Sequence, residues 1–362
     1  MFCTCLQTSR KPIYGRNVLS LPRPNLVSNP VLAVTVILAL GAIFVNGWTD
    51  APNAIATCVT TRCMPARAAI LMSAAFNFLG VLIMTHFNAS VANTISHIVD
   101  FGGNSTMALA CLCAALFSIV VYGATASRFG IPTSQSHSLI AGLTGAAIAL
   151  GGASSVNVHE WMKVIYGLAL SIGLGFVMGW VLCKLVSILF AAANRRRANV
   201  FFKYAQIASA AAMSSCTARR MDRSSSACSF RSGLASGHDE RRRCRHPHLD
   251  YAVCSATMGI GTSVGGERII KSVGQSMVKL EKYQGFSADL AGAANLLLAT
   301  LTGIPVSSTH IKTCAIMGVG AVKRLSAINF GVVKDMMFTW FFTFPACGLI
   351  SFVMAKLFMM FI

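Results

Sequence analysis

The sequence predicts an all-α polytopic membrane protein, and three observations carry the prediction: the composition, a series of long apolar runs, and a polar motif that interrupts those runs twice. Of 362 residues, 55% are hydrophobic and only 11% charged, where soluble domains carry about 25% charged residues. Mean hydropathy is positive over the whole chain. Crossing a hydrocarbon core takes roughly 20 residues of helix. In the first half, Val31 to Phe44 with its polar continuation, Ala68 to Met84, Met107 to Tyr122 and Val164 to Phe190 fit that need. In the second half, Leu290 to Leu301 and Val332 to Ile362 read similarly, and the last is long enough to need a tilt or a break. Gly and Ala recur along these runs, as they do where membrane helices pack closely.

Residues 1–28 hold Arg10, Lys11, Arg16 and Arg23 and read as a basic N-terminal tail. A secretory signal is disfavoured, because the first apolar run leads into Asn46 to Asn53 and not into a small-residue cleavage site. The formal charge of +19 would point a soluble protein toward nucleic acid. Here the basic residues lie between apolar runs, the pattern of cytoplasmic loops. The partner implied is a lipid bilayer, with no nucleic acid, and Arg195 to Arg197 followed by Lys203 is the expected loop. Cys58, Cys63, Cys111, Cys113, Cys183 and Cys347 lie in or beside apolar runs, where cysteine packs as a small hydrophobe. No cofactor is implied.

Residues 130–137 read Gly-Ile-Pro-Thr-Ser-Gln-Ser-His and residues 303–310 read Gly-Ile-Pro-Val-Ser-Ser-Thr-His. Each precedes a run of small and apolar residues that includes glycines, Gly142 and Gly145 in one and Gly318 and Gly320 in the other. A repeat of this kind decides architecture before any local motif does. Proline followed by Ser/Thr ahead of an apolar run is a helix start, because proline needs no donor there and the hydroxyls cap. A helix that starts inside a membrane-embedded segment presents unpaired N–H groups and a positive dipole end, which suits an anion. Paired broken helices of this type hold substrate near the bilayer midplane in repeat-built transporters. A tetrahedral oxyanion fits a ring of donors from Thr133, Ser134, Ser136, Ser307, Ser308 and Thr309. Satisfying the backbone around a kink is the structural alternative. His137 and His310 close the two motifs and read equally as proton carriers or as structural histidines. Lys312 reads either as positive charge for an anion or as a side chain reaching an interface.

The first apolar run ends in Asn46-Gly47-Trp48-Thr49-Asp50-Ala51-Pro52-Asn53-Ala54. A carboxylate at mid-bilayer costs about 2.5–3.5 kcal/mol on insertion scales and is normally kept for a task. Asp50 therefore reads as a cation ligand or as an acceptor for a protonated substrate oxygen, with Thr49 and Asn53 beside it and Pro52 breaking the helix. Pairing with an Arg or Lys is the alternative.

These residues resemble a known family. Gly47 to Ala54 is similar to the Gly-Ala-Asn-Asp-Val-Ala-Asn-Ala signature of the PiT inorganic phosphate transporters, with Thr49 in place of the usual Asn, and the paired Pro-x-Ser-x-Ser/Thr-His segments look like that family's two re-entrant hairpins. The likeness covers most of residues 30–213 and 253–362. It implies an inverted-repeat transporter with two re-entrant helical hairpins, inorganic phosphate held between the halves, symport with sodium or a proton, and a bacterial inner (cytoplasmic) membrane. Some relatives carry sulfate, and a homodimer is among the assemblies left open.

The same resemblance implies a second signature just after residue 213, and the sequence holds none. Residues 215–251 instead carry eight arginines against Asp222, Asp239, Glu240 and Asp250. A cytoplasmic loop is one reading, and Cys244, His246 and His248 have the look of a metal cluster. A third reading is a disrupted frame. The codons for Cys216 to Phe230, read from the third base, can spell His-Gly-Ala-Gln-Asp-Gly-Gln-Lys-Phe-Ile-Gly-Val-Phe, and those for Arg245 to Tyr251, read from the second, can spell Asp-Ile-Pro-Ile-Trp-Ile-Met. Single-base losses would restore the frame by about Val253. No spanning helix is expected from 215–251, and no site residue is placed there.

The expected organisation is a tail at 1–28, a first repeat at 29–190, a basic loop and the start of the second repeat at 191–214, the anomalous segment at 215–251, and the remainder of the second repeat at 252–362. The glycine-rich run Gly259 to Gly266 reads as close helix packing at least as well as a phosphate cradle, and Lys271 to Tyr283 as an interfacial or loop helix. Asn77 and Asn295 are expected to bond between helices or to join cation binding. An enzyme is disfavoured, because the chain shows no nucleophile-base pair and no metal-ligand spacing. An ion channel and an inactive disrupted product are the remaining alternatives to a transporter.

Overall fold

A computed structural model describes residues 30–84, 105–225, 247–264, 266–302 and 306–360, and every regular element in them is helical. The expected tail at 1–28 lies outside the described residues, as do 226–246 of the anomalous segment, with Cys244 and His246, and 303–305 of the second motif. The first half forms α1 (Pro30–Thr60), α2 (Ala66–Met84), α3 (Ser105–Phe129), α4 (Gln135–Gly151) and α5 (Val158–Leu189). The second half forms α6 (Arg195–Ser225), α7 (Pro247–Val264), the short α8 (Glu267–Ile270) running into a π turn at Lys271–Ser276, α9 (Lys282–Thr302), α10 (Ser308–Lys323) and α11 (Phe330–Met360). Among the described residues, α1, α3, α5 and α11 are long and apolar enough to cross a membrane.

The halves pack by a two-fold rule. When α1 is matched with α6, α2 with α7, α3 with α9, α4 with α10 and α5 with α11, the helix pairings exchange. The α5–α10 pairing answers α4–α11, α1–α3 answers α6–α9, α1–α7 answers α2–α6, and α3–α11 answers α5–α9, while α1–α6 and α2–α7 map onto themselves. Each motif helix is thus walled by the outer helix of the opposite half. Contact is backbone-close because the facing residues are small: a methyl on Gly179 or Gly318 would strike the Ala315 or Phe176 carbonyl across the α5–α10 contact, and one on Gly145 would strike the Gly348 carbonyl across α4–α11. Close approach of this kind drives helix association where lipid removes the hydrophobic force. The outer faces stay apolar, with Ile165, Val181 and Ile188 of α5 and Phe338, Phe341 and Leu349 of α11 exposed. Such surfaces face lipid.

Several expectations need correction. Helix α1 runs unbroken through Asp50 and Pro52. Proline removes the donor for the Trp48 carbonyl, and the Gly266 backbone packs against Pro52 and Trp48 at that turn. Helix α11 is continuous through Pro345, so of the tilt or break expected for its length the break is absent. Arg195 to Arg197 form the first turn of α6, and the preceding loop is confined to about residues 190–194. Helix continues through 215–225 and resumes at Pro247, where Ala, Arg and Met supply good helix propensity, although neither helix is among those long and apolar enough to cross a membrane. Between Lys271 and Tyr283 the chain makes a π turn and an extended stretch before α9 begins at Lys282. Helix covers Gly259 to Val264, and Gly261 abuts the Phe44 carbonyl of α1, so this glycine run serves packing.

Candidate functional site

The duplicated motifs fold as their local chemistry requires. Ser134 sits at the N-cap of α4 and accepts the His137 N–H at 3.4 Å, and Ser307 caps α10 by accepting the His310 N–H at 3.3 Å. Two of the six expected hydroxyls are therefore engaged in capping. The two helix starts meet: the Thr309 hydroxyl lies 3.0 Å from the Thr133 carbonyl oxygen, and the His137 and His310 rings are 4.9 Å apart between centroids. The His310 ring sits edge-on to Trp340 and the His137 ring beside Phe344, both from α11.

Asp50 lies under the first turn of α10, fully buried. Ser308 donates to Asp50 Oδ2 at 2.9 Å, while the Thr309 hydroxyl and the Asn53 amide approach Oδ1, each at 3.3 Å. Asn53 also donates to Thr309 Oγ1 at 3.1 Å. Thr309 has one hydroxyl proton and two acceptors in reach, Asp50 and Thr133, so it serves one at a time. Thr49 turns its hydroxyl to the Val45 carbonyl at 2.9 Å and receives the Gln135 amide at 3.1 Å. The positive end of the α10 dipole and two hydroxyls thus converge on one carboxylate, which is favourable for charge at a helix N-terminus. The Thr133 hydroxyl is buried without a hydrogen-bond partner, as are Gln135 Oε1 and Asn53 Oδ1. Ser136 is half-buried on the first turn of α4.

The geometry brings Ser308 and Thr309 to Asp50 and Asn53 and Thr133 to Thr309, and it ties Thr49 to α4 through Gln135. Lys312 does not reach an interface: it is completely buried one turn along α10 and ion-paired with Asp289 of α9. Asn77 bonds to Thr262 of α7 at 3.0 Å and Asn295 to the Leu174 carbonyl of α5 at 3.3 Å, so both link helices as expected. The structure adds Gln135, Thr57 and Asp289, none of which the sequence singled out. Asp289 stands at the head of an apolar run whose partner lies 23 residues away on the other arm of a hairpin. No local spacing rule connects the two arms.

Residues 46–351 match the model of a phosphate transporter family. The chain belongs to the phosphate transporter family. Its relatives include a probable low-affinity inorganic phosphate transporter of Bacillus subtilis, 36% identical over 311 residues that make up 86% of this chain and 92% of the relative. Another, from Rhizobium meliloti, is 35% identical over 327 residues, 89% of this chain and 95% of the relative. Among solved structures, a sodium-dependent phosphate transporter superposes with a TM-score of 0.82 at 20% identity, covering 92% of this chain and all of that one. This phosphate transporter family member is thus an integral membrane protein of transporter class, not an enzyme, with the fold the paired motifs imply.

Proposed function

We propose that the chain carries inorganic phosphate across a bacterial cytoplasmic membrane in symport with a monovalent cation, sodium or a proton. The observation that carries this reading is the competition built around Asp50: the Ser308 and Thr309 hydroxyls at the α10 N-terminus are held by a carboxylate. Phosphate oxygens need the same donors. A cation bound at Asp50, with Asn53 Oδ1 and the Thr133 carbonyl within the same cluster, neutralises the carboxylate and releases those hydroxyls to the anion. Phosphate then bridges the two helix starts, taking Thr133, Ser308, Thr309 and Ser136, while Ser134 and Ser307 keep the backbone donors aligned. Thr49, next to Asp50 on α1, ties that stretch of α1 to α4 through Gln135. Because each ligand improves the site for the other, the coupling is reciprocal. The working unit in this reading is the pair of repeats, 29–190 and the second half from 191.

A second observation favours a reading in which transport is impaired. By the two-fold rule, the counterpart of Asp50 belongs on α6, yet among the described residues from 214 onward the buried side chains are Ser214, Cys216 and Thr217, and the altered segment begins at 215. The test is uptake of radiolabelled phosphate into proteoliposomes, with and without sodium or proton gradients, by this chain and by one restored to the shifted reading over 215–251. Cation-driven uptake by the chain itself supports the symport reading. Uptake only by the restored version makes this polypeptide a broken transporter, and uptake by neither refutes phosphate as substrate. Excess sulfate that abolishes uptake would reassign the oxyanion.

A further inference from the structure

We propose that Asp289, with Thr57, is a second monovalent-cation site one turn from the Asp50 cluster, and that in this chain the Lys312 ammonium is its tethered occupant. Lys312 and Asp289 are both 0% exposed and are in direct contact. The Thr57 hydroxyl donates to Asp289 Oδ1 at 2.6 Å, and its remaining lone pairs face the ammonium, with Nζ 3.4 Å from Thr57 Oγ1. The ammonium is therefore held by side-chain oxygens from α9 and α1, the hard donors a small cation takes.

Three features separate this cluster from a structural ion pair. First, a wholly buried pair gains little stability over apolar residues of similar volume, so its presence inside a membrane protein marks a task. Second, the site holds an acceptor the ammonium does not use: Asp289 Oδ2 is buried with no hydrogen-bond partner. An unpaired carboxylate oxygen in a dry site is costly, and its natural complement is a ligand. Third, the cluster continues the polar face of the Asp50 site. Asp50, Asn53 and Thr57 lie at helical spacing on α1, and all three are buried. On α10, Ser308 and Thr309 serve Asp50 while Lys312 serves Asp289. The two carboxylates, Asp50 on α1 and Asp289 on α9, are thus reached from successive turns of α10, the first by hydroxyls that can exchange and the second by a cation that cannot leave.

The consequence is a fixed cation count: Lys312 fills the second site and keeps sodium out of it. The test is equilibrium binding of radiolabelled sodium, at constant ionic strength set by choline, to the purified full-length chain and to the K312M and K312M/D289N variants. Lys312→Met is expected to bind one more sodium per chain than the parent, and sodium at tenfold its Kd should raise its denaturation midpoint by about 2 °C relative to choline. The double variant is expected to lose both gains. Recovery of folded K312M only in sodium also supports the site. Unchanged sodium binding in K312M, an extra sodium that survives in the double variant, or a K312M protein that folds in neither salt each overturns it. A parent that binds no sodium while K312M binds one would refute sodium coupling at Asp50 and leave this assignment standing.

Discussion

Replacing Asp50 with Asn separates the two ligands that the proposed mechanism couples. In the parent, Ser308 gives a charge-assisted hydrogen bond to Asp50, and Thr309 gives a second when its proton turns from the Thr133 carbonyl to the carboxylate. Bonds to a charged acceptor contribute about 1.5–3 kcal/mol each and neutral ones about 0.5–1.5 kcal/mol. Substituting a neutral acceptor therefore weakens the hold on each hydroxyl by roughly 1 kcal/mol, and by about 2 kcal/mol for the pair. A difference of that size is about 30-fold in an equilibrium constant. In cation-free buffer, D50N is expected to bind phosphate about 30-fold more tightly than the parent, because the asparagine mimics a cation-neutralised carboxylate. Its phosphate affinity should no longer respond to sodium or pH, and accumulation against a gradient in proteoliposomes should collapse. The assay is equilibrium dialysis of labelled phosphate across a sodium and pH series, with uptake measured on the same preparations. D50N that binds phosphate no more tightly than the parent without cation, and still responds fully to cation, refutes the competition at Asp50.

The remaining predictions divide the motif hydroxyls by duty. Thr133→Val removes a buried hydroxyl with no hydrogen-bond partner, so thermal stability should hold within about 0.5 kcal/mol while phosphate affinity falls about tenfold. Ser134→Ala removes a helix cap and should cost about 1 kcal/mol of stability, read as a lower denaturation midpoint, with the smaller effect on phosphate. Gly179→Leu forces a side chain into the α5–α10 contact at Ala315 and should destabilise by about 1–3 kcal/mol. Parent-like stability in that variant would show that the two helices are not closely apposed.

Much of the fold was legible in the sequence because its determinants are local or compositional. Helix starts at Ser134 and Ser307 follow from capping, which links residues three apart. The spans follow from apolar length, and the pairing of halves follows from the repeated motif. Legibility fell where several partners compete for one group. Pro52 predicted a broken helix, yet α1 continues because tight packing by Gly266 holds the turn in place. Six hydroxyls looked equivalent in sequence, but the helix geometry commits Ser134 and Ser307 to backbone donors and turns Ser308 and Thr309 to Asp50.

By itself the sequence determined the membrane class, the two motif helices with their caps, and the buried carboxylate at position 50, all properties of neighbouring residues or of average polarity. Only the tertiary structure decided which hydroxyls reach Asp50, that the two helix starts meet, and that Lys312 pairs with Asp289 beneath Thr57. Those contacts join helices far apart in the chain, and their energy depends on distances that no spacing along the sequence encodes.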